Sequence, residues 1–120
     1  MKSFIFLLLI LFATSCAEQE EEPSNFSKIL HSSWSPNGKW KLTLTEHGYD
    51  STDCYTQVII DFGSTGSGVY STNGRNLGIK TYWKDNHTIV IETKKEYDAP
   101  QKWSQVQSFR NIVKVEYIEN

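Results

Sequence analysis

Apolar and polar residues alternate along much of this chain with a period of two, the spacing of a strand with one face buried. The clearest run is Lys39 to Glu46, where Trp40, Leu42 and Leu44 fall on one face and Lys39, Lys41, Thr43 and Thr45 on the other. Ser35-Pro36-Asn37-Gly38 precedes it as a turn, with proline presetting φ and glycine taking a conformation that other residues avoid. After a polar connection over His47 to Asp53, Cys54 to Phe62 repeats the pattern, with Cys54, Thr56, Val58, Ile60 and Phe62 on one side. Leu77, Ile79, Thr81 and Trp83 share a third face, and Asp85-Asn86 turns the chain tightly into His87 to Thr93, where Ile89 and Ile91 point inward. Val69-Tyr70-Ser71 is a short strand ended by Asn73-Gly74. Phe109, Val113, Val115 and Tyr117 mark a closing strand within Phe109 to Ile118.

Three segments break the alternation. Phe26, Ile29 and Leu30 stand at i, i+3 and i+4, which predicts one or two helical turns resting on the sheet. Gly63 to Gly68 holds three glycines and predicts a mobile loop. Lys94 to Gln107 is polar and predicts a long excursion. The fold class expected is all-β: a single antiparallel meander, sandwich or barrel-like sheet of about five to seven strands. Ser35 to Trp40 also has the look of a propeller-blade turn. It occurs once, and a lone blade has no neighbour on which to bury its faces.

Ahead of this domain lies a different pattern. Met1-Lys2-Ser3 is a short basic start, and Phe4 to Ala13 is a run of ten residues without a charge. Ten helical residues reach about 15 Å, half of a bilayer core, so the run predicts a cleavable export signal rather than a membrane span. It ends Ala13-Thr14-Ser15-Cys16, which resembles the lipobox of bacterial lipoproteins. That resemblance implies a signal peptide over 1–15 and a mature N-terminus at Cys16, acylated there with chains of the palmitate type. Ala13 stands where the lipobox usually has Leu, Val or Ile. The same small residues suit an ordinary signal peptidase, which makes plain secretion the competing expectation. A buried N-terminal strand is the third.

Residues 16–25 carry four acids, no base and no large apolar side chain, so they predict an extended, solvated tether. Acids directly after the Cys also resemble surface-export signals of some Gram-negative lineages. The expected location is therefore the cell envelope, at the outer membrane, facing the periplasm or the cell surface. Residues 26–120 form the domain.

Composition narrows the function. A chain of 120 residues with 38% apolar and 13% aromatic side chains supports one small core and excludes a two-domain enzyme with a cleft between halves. Eleven basic and ten acidic residues fall within 26–120, so the domain is nearly neutral and nothing favours a nucleic-acid partner. Two cysteines exclude a disulfide scaffold.

The blocks Ser35-Pro36-Asn37-Gly38-Lys39-Trp40, Thr56-Gln57-Val58 and Trp83-Lys84-Asp85-Asn86-His87-Thr88-Ile89-Val90-Ile91 resemble an uncharacterised bacterial family, the domain of unknown function numbered 5412. The resemblance covers about half the chain. Gly48-Tyr49-Asp50-Ser51-Thr52 departs from the usual Gly-Ala-Thr-Thr of that family. It implies a small envelope-associated β domain without an assigned activity.

Candidate chemistry is sparse. His47 and Cys54 flank one loop with Asp50 and Asp53 between them, yet their spacing matches no zinc motif, and Cys54 in phase with Thr56 and Val58 reads as a buried structural thiol. Asp50, Asp53 and Asp61 are turn formers rather than an acid–base pair across a cleft. Asp50-Ser51-Thr52 fits a bacterial glycosylation tripeptide and fits an ordinary polar turn better. No nucleophile elbow, zincin helix or phosphate loop is present, so neither catalysis nor a cofactor or metal is expected. Tyr55 and Tyr82 fall on outward faces and Trp103 lies in the polar excursion, which makes them the candidate binding surface for an envelope protein or glycan. The expected function is that of a non-catalytic envelope lipoprotein. A small immunity or inhibitor lipoprotein that neutralises a partner enzyme is the alternative.

Overall fold

A computed structural model describes residues 26–48 and 53–120. Among the described residues nine strands follow in order: β1 (Phe26–Trp34), β2 (Lys41–Gly48), β3 (Cys54–Asp61), β4 (Gly66–Asn73), β5 (Lys80–Asp85), β6 (Thr88–Thr93), β7 (Gln101–Lys102), β8 (Gln105–Ser108) and β9 (Asn111–Glu119). They build two sheets, one of five strands in the order β1-β2-β3-β4-β7 and one of four in the order β5-β6-β9-β8. The all-β expectation holds. Nine strands exceed the five to seven expected, because the polar excursion contributes β7 and most of β8, and Phe26–Trp34 contributes β1.

The alternation decides which side of each strand is buried. Leu42, Leu44, Val58, Ile60 and Tyr70 of the first sheet meet Ile89, Ile91, Val106, Val113 and Val115 of the second. Each fully buried side chain of this size stabilises the fold by roughly 1.5–3 kcal/mol. Trp40 closes one end, edge-on to Phe62 at 5.2 Å and to His87 at 5.4 Å between ring centroids.

The predicted turns form as read. Gly38 has φ of +74°, and its N–H donates to the Ser35 carbonyl at 2.8 Å. The Asn37 N–H donates to Asn86 Oδ1 at 2.8 Å, so the β1–β2 turn is tied to the β5–β6 turn across the two sheets.

Three expectations need correction. Phe26–Leu30 is strand rather than helix. Its register with β2 jumps between Ile29↔Thr45 and His31↔Leu44, which leaves Leu30 as an extra, bulged residue. The bulge shifts the alternation by one position and so imitates helical spacing. The glycine-rich segment is a turn only as far as Thr65. Gly66, Ser67 and Gly68 pair with Asp61, Ile60 and Ile59, so half of the loop expected there is strand. The second sheet is also not purely antiparallel, since β9 runs parallel to β6 from Lys114↔Thr88 to Glu119↔Thr93. That pairing is possible because the chain between them leaves the sheet, passes through β7 and returns through β8.

Candidate functional site

One end of the sandwich is open on the side where β1 and β5 are both edge strands. A cleft of about 470 Å³ lies there, with apolar walls from Leu30, Leu44, Leu77 and Ile79. The bulge in β1 helps form it, because Leu30 and His31 are consecutive residues and both line the cleft.

Set into this apolar wall is Glu46, a carboxylate only 1% exposed. It lies on the inner face because it continues the phase of Leu42 and Leu44 along β2. Glu46 Oε2 accepts the Asn76 N–H at 2.8 Å, and Asn76 adopts a left-handed φ of 56°, which asparagine tolerates better than most residues. Glu46 Oε1 is buried and has no hydrogen-bond partner among the described residues. Thr81 Oγ1, also buried and also lining the cleft, has none either. Thr56 differs, since its hydroxyl donates to the Gly74 carbonyl at 2.9 Å.

The nearest cation in the register does not neutralise Glu46. Lys28 pairs with Glu46 across β1 and β2, but it is exposed and makes no ion pair among the described residues. The arrangement is a buried carboxylate and a buried hydroxyl in the lining of a cleft with apolar walls.

The three residues singled out from the sequence are not brought together. Tyr55 lies on the outer face of the five-stranded sheet, stacked on His47 at 5.0 Å between ring centroids. Tyr82 lies on the outer face of the other sheet, 40% exposed, at a side of the cleft. Its hydroxyl donates to Glu92 Oε2 at 2.8 Å, and that bond holds the phenol above the ordinary tyrosine range. Trp103, 47% exposed, sits where the chain passes from β7 to β8, its carbonyl accepting the Tyr117 hydroxyl at 2.7 Å. Two opposite faces and a corner do not make one patch.

The loop cluster around His47 is likewise occupied by structure. His47 Nδ1 lies 2.8 Å from Ser27 Oγ, and Nε2 lies 2.8 Å from Thr45 Oγ1, so both ring nitrogens are engaged. Cys54 is a free thiol, half-buried beside Gly48. Among the described residues no three His, Cys, Asp or Glu side chains converge as metal ligands. Cys16, the tether and Asp50-Ser51-Thr52 lie outside the described residues.

Glu46 was the residue that sequence reading passed over. The signal was present, since an acid two positions beyond Leu44 and four beyond Leu42 shares their buried face. Comparison of the chain with protein-family models, with curated proteins and with solved structures finds no match.

Proposed function

We propose that this chain is a lipid-anchored lipoprotein of the cell envelope whose β-sandwich serves as a non-catalytic binding module. The cleft with its buried, half-satisfied carboxylate carries the binding part of this reading. A core that needed only to be stable would place an apolar side chain at Glu46, because a buried polar group without partners is destabilising. Retaining it makes sense where a ligand supplies the missing donor. The anchoring part rests on the sequence alone: the basic start, the apolar run from Phe4 to Ala13 and the small residues before Cys16. The outer membrane, facing the periplasm or the cell surface, is the location this implies.

Two measurements test it. Replacing Cys16 with Ser moves the protein from the detergent phase to the soluble fraction and leaves its precursor uncleaved by the lipoprotein peptidase. A wild-type protein that is already soluble and matures normally as the Ser variant refutes the anchor. For the module, the immobilised full chain is exposed to envelope extract beside Leu30→Trp, which fills the cleft from an exposed edge position. A component retained by the wild type and lost from Leu30→Trp supports the reading, and equal retention refutes it.

An inhibitor of an envelope enzyme is the second reading. It is favoured by the edge strand β1, which exposes Ile29 at 67% and Trp34 at 58%, an apolar border on which a partner strand can add. Capture of one dominant protein that is insensitive to Leu30→Trp but lost on Trp34→Glu separates it from the first.

A further inference from the structure

We propose that the cleft between the β1 and β5 edges binds a primary ammonium group carried on an apolar stem, with Glu46 as its counter-ion. The inference rests on the binding-module reading and names the chemistry that this site selects.

A carboxylate has two oxygens and room for about four donors. Glu46 receives one, from Asn76, while its other oxygen is removed from water and unpaired. Buried charges are paired in stable proteins, and a neutral donor satisfies the lone pair without balancing the charge. An ammonium does both. Its three N–H donors also leave one for Thr81 Oγ1, the second orphan in the cleft lining, which lies on β5 of the facing sheet.

The apolar part of the lining suits the stem. Leu30, Leu44, Leu77 and Ile79 offer no polar side-chain atom, and about 470 Å³ falls within the range that holds small organic ligands. An anionic head is repelled by Glu46. Lys80 and His31 also line the cleft and Lys28 lies opposite Glu46 in the ladder, but all three are exposed, so solvent and salt screen the repulsion of an incoming cation by the two lysines. The same ammonium chemistry is carried by a free alkylamine or by a lysine side chain of a protein partner.

The test titrates the purified full chain with hexylamine, hexanol and hexanoate, following backbone amides by two-dimensional NMR. Hexylamine shifts the amides of Leu44, Glu46, Asn76 and Thr81 saturably, at least about tenfold more tightly than hexanol, as one charge-assisted hydrogen bond requires. Hexanoate does not saturate. Glu46→Gln, which keeps shape and can still accept from Asn76, loses that tenfold advantage while hexanol binding is unchanged. Leu30→Trp, at an exposed bulge where folding is not at stake, blocks both ligands. Nα-acetyl-lysine N-methylamide binding as well as hexylamine assigns the site to a protein lysine, and weaker binding assigns it to a free amine.

Equal binding of all three probes, or a hexylamine affinity unchanged in Glu46→Gln, overturns the proposal. So does hexylamine binding that appears only in Lys28→Gln, which makes Lys28 the resident ammonium. A cleft that retains an envelope component in a Leu30→Trp-sensitive manner but ignores hexylamine overturns the ammonium assignment and leaves the binding module standing.

Discussion

The hydroxyls of Tyr70 and Thr93 lie 2.8 Å apart in the core, joining β4 of one sheet to β6 of the other. Both side chains are buried, so each hydroxyl depends on the other. Tyr70→Phe therefore strands the Thr93 hydroxyl and lowers stability by about 1–2 kcal/mol. Adding Thr93→Val recovers part of the loss, because removing both partners of a buried bond is less harmful than removing one. Chemical denaturation of the two single variants and the double variant measures this. An unchanged midpoint in Tyr70→Phe contradicts it.

Tyr117, whose ring packs 5.7 Å from that of Tyr70, gives the fold an alkaline limit. Burial first, then the neighbouring Tyr70 and Glu119, raises its phenol well above the ordinary tyrosine range. The folded state therefore holds this proton more tightly than the unfolded chain, which releases it near pH ~10. The contribution is complete below that pH and is lost as pH rises further. Tyr117→Phe lowers the plateau, since the bond to the Trp103 carbonyl is gone, and flattens the decline above pH ~10. Urea midpoints at about pH 8, 9.5 and 10.5 distinguish a flattened slope from a uniform loss.

Strand positions were legible over the two longest alternations, while the run from Leu77 to Lys84 becomes strand only from Lys80. The reading of Lys39 to Glu46 corresponds to β2 at Lys41–Gly48, and that of Cys54 to Phe62 to β3 at Cys54–Asp61. Phe26–Trp34 was misread because its bulge at Leu30 changes the phase within the strand. The parallel pairing of β6 with β9 was not legible at all. Alternation reports which face of a strand is buried, while the neighbour across the ladder is fixed by packing of the whole chain. The site shows the same division. Thr81 was placed inward by its phase with Ile79 and Trp83, but only the fold reveals that it and Glu46 line one cleft.

Gly48 allows the start of β1 to lie close against β2. A Cβ added there falls 2.5 Å from Phe26 Cε1 and 2.9 Å from Cys54 Cβ, and the second of these belongs to a paired strand that cannot swing away. Gly48→Ala should cost about 1–3 kcal/mol by overpacking. It should also free the Phe26 ring from the Arg75 guanidinium, now 4.9 Å from its centroid. Hydrogen exchange should quicken at Phe26 to Lys28 before it changes in β3. Uniform exchange across the sheet would argue against a local clash.

The open side of the sandwich is closed at one point by Trp83, whose indole N–H donates to the Ser33 carbonyl at 3.1 Å and so ties β5 to β1 across the sheets. Edge strands hold few such links, which makes this one a hinge on the width of the cleft. Trp83→Phe keeps an aromatic ring on the partly buried face and removes only the donor and some area. Expected is a stability loss of about 0.5–1.5 kcal/mol for the hydrogen bond, with further loss from the smaller ring. The more telling effect is local. Amide exchange in Ile29 to Trp34 should accelerate while β3 and β9 keep their protection, because β1 then loses this tie to β5 and keeps its ladder to β2. Binding at the cleft should weaken in parallel, since Leu30 and His31 ride on the same strand. A Trp83→Phe variant with faster β1 exchange and unaltered cleft binding would show that the β1 wall contributes little to the site.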